Sequence, residues 1–342
     1  MILLLCRDRV SIFSIFMLLL PVVLSYGGER QPSEPVPLKV VTMPYLGYAP
    51  FFIADAEGYF AEQGLDVQFI RMNRTATLIP ALIQGDIDVL SGTIWPSHFN
   101  AIARGARIRF VANRSYVDTS GCIYSAVVAR RDLIEHGDLQ NPAQLRNLRI
   151  SVPPSSHMGY FIEKLLSRAN MTLHDVEIVD HLPAVELEAF RKNTIDLAFM
   201  TEPWLTRIVN TGHGVIWLPD RKVVPGFQWG FILYGPSLLD KNPDAGRRFL
   251  VAYFKAVRQY NRGKTERNVD ILSQYTELDR DLLEKACWPS LREDGYINFE
   301  HLIDFQDWAV RKGLLDRKLA EDEFWDHAFV DYATKMLHIQ KQ

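Results

Sequence analysis

The sequence predicts an α/β protein of two lobes that share a cleft. Three observations carry this: short apolar strands alternate with helix-length segments from Leu38 onward, the alternation restarts after Cys122, and one strand-to-helix corner is built twice. The corners are "IDVLSGTIWPSHFNAIARG", Ile87 to Gly105, and "IDLAFMTEPWLTRIVNTG", Ile195 to Gly212. Each opens on Ile-Asp, runs apolar to a threonine, and carries an adjacent Trp/Pro pair. Each also places a proline at the expected first helical position with a glycine nine residues on, Pro96 to Gly105 and Pro203 to Gly212.

The elements follow in order. "LKVVTM" reads as a buried strand, and "PFFIADAEGYFAEQG" as a helix started by Pro50 and stopped by Gly64. "LDVQFI" alternates Leu65, Val67 and Phe69, a strand signature. A helical stretch to Gln84 precedes the strand "IDVLSG", the helix Pro96 to Arg104 and the strand "IRFVANRSY". Repetition of this unit implies a mostly parallel sheet. Around "CIYSAVVAR" the chain leaves the first lobe. The second then reads as helix "NPAQLRNL", strand "RISVPP", helix "HMGYFIEKLLSRA", strand "VEIVDHL", helix "AVELEAFRKN" and strand "IDLAFMT", followed by "PWLTRIVNTG" and "GVIWLPD". Past Trp229 the pattern turns helical, and Phe249, Tyr253, Phe254, Val257 and Tyr260 share one face between Pro243 and Gly263. Those helices need a sheet to cover, and the first lobe is the expected host.

Length and composition set the bounds. The 342 residues are 48% hydrophobic and 23% charged, with a formal net charge of −3. That suits two globular units, and without a basic block or an aromatic RNA-binding motif it excludes a nucleic-acid surface. Arg7 and Arg9 precede an apolar run from Val10 to Leu24, and Ser25 and Gly27 fit a signal-peptidase site, so residues 1–27 read as an export signal. The competing reading, an uncleaved anchor, is disfavoured by the short run and by Pro21. Residues 28–37, polar and proline-rich, read as a linker. Cys122 and Cys287 remain in the mature chain, and a single bridge or two free thiols are both left open. Asn73, Asn113 and Asn170 begin N-x-S/T triplets, which carry no weight alone.

The segments "YLGYAPFFIADAEGYFAEQGLDVQFI", "LIPALIQGDIDVLSGT", "NPAQLRNLRISVPPSS", "DLAFMTEPW" and "FQDWAVRKGLLD" occur in an order and spacing that resemble the extracytoplasmic substrate-binding proteins of ABC importers. The resemblance is to the branch for nitrate, sulfonates, taurine and thiamine-pyrimidine precursors (SsuA/THI5-like, NMT1-like). It implies a type II periplasmic-binding-protein fold with a doubly crossed hinge, a helical C-terminal extension on the first lobe, and closure around a small molecule. The implied boundaries are lobe 1 at 38–121 and 231–342, and lobe 2 at 122–230. The implied partners are a small-molecule ligand and an ABC permease with its ATPase. The protein is expected in the periplasm, as a monomer, with no cofactor, metal or catalytic residue.

The positions matching the family's ligand-facing loops are Tyr45 and Tyr48 in "PYLGYAP", Thr93 and Trp95 in "SGTIW", and Ser155, Ser156 and His157 in "PPSSHMG". Glu202 and Trp204 come from "TEPW", and Trp229 and Tyr234 from "FQWGFILYG". Each has a structural alternative: aromatics pack cores, Ser155 or Ser156 caps a helix, His157 is structural, and Glu202 is stabilised by a helix dipole. Aromatics with Glu202 suit a planar amine or heterocycle, whereas Thr93, Ser155 and Ser156 at helix N-termini suit a sulfonate or nitrate. The carboxylate inclines the reading towards a neutral or cationic organic ligand. The alternatives are a pyrimidine-synthesis enzyme on the same fold, whose cysteine-rich motif is absent here, and a ligand sensor for a membrane receptor. No HExxH, CxxC, GxSxG or phosphate-cradling glycine loop is present.

Overall fold

A computed structural model describes residues 34–338 except 73, 74 and 76. The expected export signal, most of the expected linker, and Asn73 lie outside the described residues. The first sheet begins with β1 (Val36–Thr42), two residues before the expected boundary, then β2 (Leu65–Arg71), β3 (Val89–Thr93) and β4 (Arg109–Tyr116). The second sheet contains β5 (Ser125–Arg130), β6 (Arg149–Ser151), β7 (Glu177–Val179), β8 (Leu197–Thr201) and β9 (Gly214–Pro219). Strand β10 (Gln228–Tyr234) returns to the first.

The sheet orders are β2-β1-β3-β10-β4 and β7-β6-β8-β5-β9. They are the same design: three parallel strands, then an antiparallel strand, then an edge. Each sheet is therefore mostly parallel, as expected, but mixed by one reversed strand, for a topological reason. β1, β3, β6 and β8 run towards the cleft. β5 and β10 are the first strands after each crossing, so they enter at the cleft and must run away from it. The segment "FQWGFILYG", expected as the return crossing, holds β10 through Tyr234, and the expected helices follow it.

Local sequence accounts for the other departures. The helix predicted from Pro50 runs Ala49–Ala56, breaks at Gly58 (φ 72°), and resumes at Tyr59–Glu62. "NPAQLRNL" holds only a 3₁₀ turn, Pro142–Leu145, started by an Asn141/Gln144 capping box. The two corners are topologically equivalent, following β3 and β8. Pro96 is the first residue of the helix Pro96–Ala103 as expected, but Pro203 is the N-cap of the helix Trp204–Thr211, after a cis Glu202–Pro203 peptide.

The face predicted for Pro243–Tyr260 is buried, and its Phe249 and Tyr253 rings lie 6.1 and 4.8 Å from Phe51 of the helix Ala49–Ala56. The C-terminal helices also reach the second lobe. Asp304 of the helix Phe299–Arg311 accepts from Tyr160 Oη (2.5 Å) and Lys164 Nζ (2.7 Å) of the helix His157–Ser167, and Lys312 pairs with Glu163 (2.9 Å). Cys122 and Cys287 form a disulfide, Cα–Cα 5.6 Å, tying the first crossing to the C-terminal extension.

Candidate functional site

The main cavity lies between the sheets and is lined from both. Its empty space, open solvent at the mouth included, is about 850 Å³. From the first lobe come Met43, Tyr45 and Tyr48 after β1, Thr93 and Trp95 after β3, and Thr75. From the second come Pro153 and Met158 around the start of one helix, His181 to Pro183 and Glu186 around another, and Phe199 to Thr201 at the end of β8. These are carboxyl ends of parallel strands, where open α/β sheets bind ligands.

The two crossings build the floor in mirrored fashion. After β3, Ile94 N donates to Trp229 O (2.8 Å), and after β8, Glu202 N donates to Tyr124 O (3.0 Å). Tyr124 and Trp229, each at the start of its crossing strand, stack at 6.0 Å with planes 12° apart. His157 covers Trp229's ring at 5.4 Å and 6°, so His157 and Tyr124 both stack on Trp229. Burial, with the Arg114 charge, pushes the His157 imidazole down to about 3, and it is neutral.

Arg114, near the cleft end of β4, is 3% exposed and lines the cavity. Its guanidinium lies 4.2 Å from the centroid of the Tyr48 ring and 5.9 Å from that of Trp229. Its Nε and Nη1 are buried with no acceptor among the described residues. Two glycines make its room: a Cβ on Gly47 would come within 2.7 Å of Nη1, and one on Gly230 within 2.8 Å of Ser115 Cβ and 3.1 Å of Nη2. Across the cleft, buried Glu186 accepts from Ser151 Oγ (2.7 Å). Burial pushes its carboxyl up to about 8, against the Ser151 hydrogen bond and with help from the Asp180 charge, so it is protonated at neutral pH.

Of the residues singled out by sequence, Tyr45, Tyr48, Thr93, Trp95 and Trp229 line this cavity. Tyr48 Oη donates to Ser91 O (2.9 Å), and Trp95 Nε1 donates to Thr93 Oγ1 (2.9 Å). His157 lines a smaller adjoining hollow with Trp229. The others lie outside the cavity lining. Ser156 is the N-cap of the helix His157–Ser167, its Oγ accepting from Met158 N (3.1 Å), and Ser155 precedes it. Glu202 is buried against its own helix and the C-terminal extension, accepting from Thr206 N (3.0 Å), Thr206 Oγ1 (2.8 Å) and Cys287 N (3.1 Å). Trp204 stacks with Arg207 at 4.7 Å. Tyr234 donates to Gly246 O (2.8 Å) in the first-lobe core; β10 runs away from the cleft, which puts it roughly 17 Å beyond Trp229 at strand rise. The carboxylate that favoured a cationic ligand is thus absent from the cavity, and an unanticipated guanidinium is present. The sequence signal for Arg114 was there: Asn113-Arg114-Ser115 is a polar triplet that breaks off the apolar run Phe110-Val111-Ala112. Glu186, on the amphipathic helix Pro183–Arg191, gave none.

The NMT1-like family model matches residues 31–273. The chain belongs to the NMT1-like family. A protein of Brucella abortus, provisionally named a binding protein, is 24% identical over 320 residues, covering 88% of this NMT1-like chain and 93% of its own. Among solved structures, the alkanesulfonate-binding protein SsuA of Xanthomonas axonopodis bound to MOPS has a TM-score of 0.70 at 16% identity, covering 86% of this chain and all of that one. The nitrate-binding protein NrtA of Synechocystis has a TM-score of 0.71 at 17% identity, covering 90% of each. The desulfurization enzyme DSZB shares the fold at lower similarity, TM-score 0.66 and 12% identity over 88% of this chain and 99% of that one.

Proposed function

We propose that this NMT1-like protein is the extracytoplasmic solute-binding component of an ABC importer, capturing a small organic solute between its lobes and delivering it to a membrane permease. The observation that carries the reading is one cavity lined by equivalent strand ends of two equivalent sheets, floored by both crossings. A solute touching both walls stabilises the closed arrangement relative to the open one by its differential contacts, and closure is then what the permease recognises. In this reading lobe 2 spans 122–230 and lobe 1 the flanking 38–121 and 231–342. The membership of β5 to β9 in one sheet supports that division. The Cys122–Cys287 disulfide supports an oxidising compartment, as does the signal-like N-terminus. Among the described residues, no helix is long and apolar enough to cross a membrane.

DSZB shows that this fold also carries an enzyme, so the fold alone does not decide. Binding is favoured by how two of the polar groups reaching the cavity are held: Thr93 by Trp95, and Glu186 by Ser151, in contacts that fix orientation. The test is a thermal-shift screen of the mature monomer against pyrimidines, flavins, sulfonates, taurine, nitrate and amines. Hits are then followed by small-angle scattering and mass spectrometry. The reading requires a hit that shrinks the radius of gyration and is recovered unchanged. A hit that is chemically converted, or binding without contraction, contradicts it. Neighbouring permease and ATPase genes separate import from sensing through a receptor.

A further inference from the structure

We propose that the solute is a monoanionic organic acid whose carboxylate or sulfonate docks on the guanidinium of Arg114. This rests on the solute-binding reading above and names the charge of what that site takes. A guanidinium buried in a cleft with two nitrogens lacking acceptors is costly, because a buried charge needs a partner of opposite sign and satisfied hydrogen bonds.

Among the described residues, no group around Arg114 supplies that partner. Tyr48, Tyr124 and Tyr253 all feel its charge, and burial holds all three phenols above their ordinary range, hence neutral. His157 is neutral too, and Glu186 across the cleft carries its proton. The pair of glycines that clears space for the guanidinium argues for a built feature. The Tyr48 face offsets part of the cost, but a π-face accepts no hydrogen bond at Nε or Nη1. An oxyanion does, in the bidentate geometry that a guanidinium fork matches. A protonated Glu186 turns the opposite wall from a repelling charge into a hydrogen-bond donor. One negative charge is matched at this site, since Arg114 is the one arginine or lysine lining the cavity among the described residues. Apolar body is accommodated by Met43, Trp95, Met158 and Phe199.

The test is a charge series of near-identical shape: benzoate, benzenesulfonate, benzamide and benzamidine. Each is titrated calorimetrically into the mature protein in Tris, because sulfonate buffers compete. At least one anion is expected to bind about tenfold or more tighter than benzamide, and benzamidine weakest of all. Arg114→Gln should abolish the preference, and Arg114→Lys should restore part of it, with circular dichroism confirming that both variants are folded. Preference for benzoate over benzenesulfonate identifies a planar carboxylate as the docked group, and the reverse a sulfonate. The proposal is overturned if benzamide or benzamidine matches the anions, if no anion binds at millimolar concentration, or if a folded Arg114→Gln keeps the anion preference. Lobe contraction around a neutral or cationic member of the wider screen would overturn the charge assignment while leaving solute capture standing.

Discussion

Replacing Glu186 by glutamine should stabilise the protein at neutral pH, by an amount that grows with pH. The side chain is buried against Ser151, and burial raises its carboxyl from 4.5 to about 8. Between those values the folded state holds a proton that the unfolded chain has released. A raised folded-state value means stability that is fully present below pH 4.5 and lost as pH rises towards 8. Each pH unit in that window costs about 1.4 kcal/mol, so the wild type gives up about 3 kcal/mol by pH 7 and about 5 kcal/mol above pH 8. Glutamine keeps the volume and the oxygen that accepts from Ser151, yet cannot ionise. Urea unfolding of both proteins, disulfide intact, from pH 5 to 9 isolates the effect in their difference. That difference should be small at pH 5, about 3 kcal/mol in favour of Glu186→Gln at pH 7, and level off above pH 8. A difference independent of pH, or a wild type more stable than the variant at pH 8, would refute the buried neutral carboxyl.

Three further outcomes rest on other buried groups, on the disulfide and on the cavity lining. His157 and His98, whose imidazoles burial lowers to about 3, are neutral when folded and charged when unfolded between about pH 6.5 and 3. Stability should therefore fall as pH drops through that window, and His157→Phe should flatten the fall by about 1.4 kcal/mol per unit in urea titrations. Removing the disulfide with Cys122→Ser/Cys287→Ser should lower unfolding free energy by about 2–5 kcal/mol, since the bridge closes a span of 165 residues. Reducing the wild type should do the same, and dithiothreitol should leave the double variant unchanged. Trp95→Ala should weaken binding of whichever probe proves tightest by about tenfold, while Trp204→Ala should leave calorimetric affinity within about twofold, because Trp95 lines the cavity and Trp204 packs on Arg207.

What the sequence showed, and what it withheld, divide along one physical line. Periodicity and turn residues are local, so the strands, the twin corners and the buried face of Pro243–Tyr260 were legible. Strand direction is not local. "FQWGFILYG" reads as apolar whichever way it runs, so Trp229 and Tyr234 looked equivalent, although only the first sits at the cleft end of β10. Side-chain partners far along the chain were equally invisible. Glu202 was rightly expected at a helix start, but its other partner, Cys287 N, is 85 residues away and turns it from the cavity. Ser156 shows the local alternative winning outright: it accepts from two amides of its own helix and donates its O–H to Pro153 O (2.7 Å), so it has no hydrogen left for a ligand's oxygen. Arg114 and Glu186 were missed for opposite reasons. One interrupts an apolar run and was absorbed into its strand; the other has the spacing of a solvated helix position and is buried against Ser151 of the neighbouring strand.

The position of Arg114 also bears on why capture and closure belong together. It sits on the strand that feeds the first crossing, beside the Tyr124–Trp229–His157 stack where the two lobes meet. Bringing the second lobe over it removes water from a charge, at a cost that in buried pairs reaches several kcal/mol when no counter-charge is supplied. Water at an open cleft would solvate the guanidinium at little cost. A solute anion changes the balance in the closed arrangement alone, since only there do Arg114 and the second-lobe wall contact it together. On the proposed reading, the differential affinity that drives closure resides in the Arg114–anion pair, and Arg114→Gln, by removing the charge that opposes closing, should shrink the contraction that a bound anion produces in solution scattering.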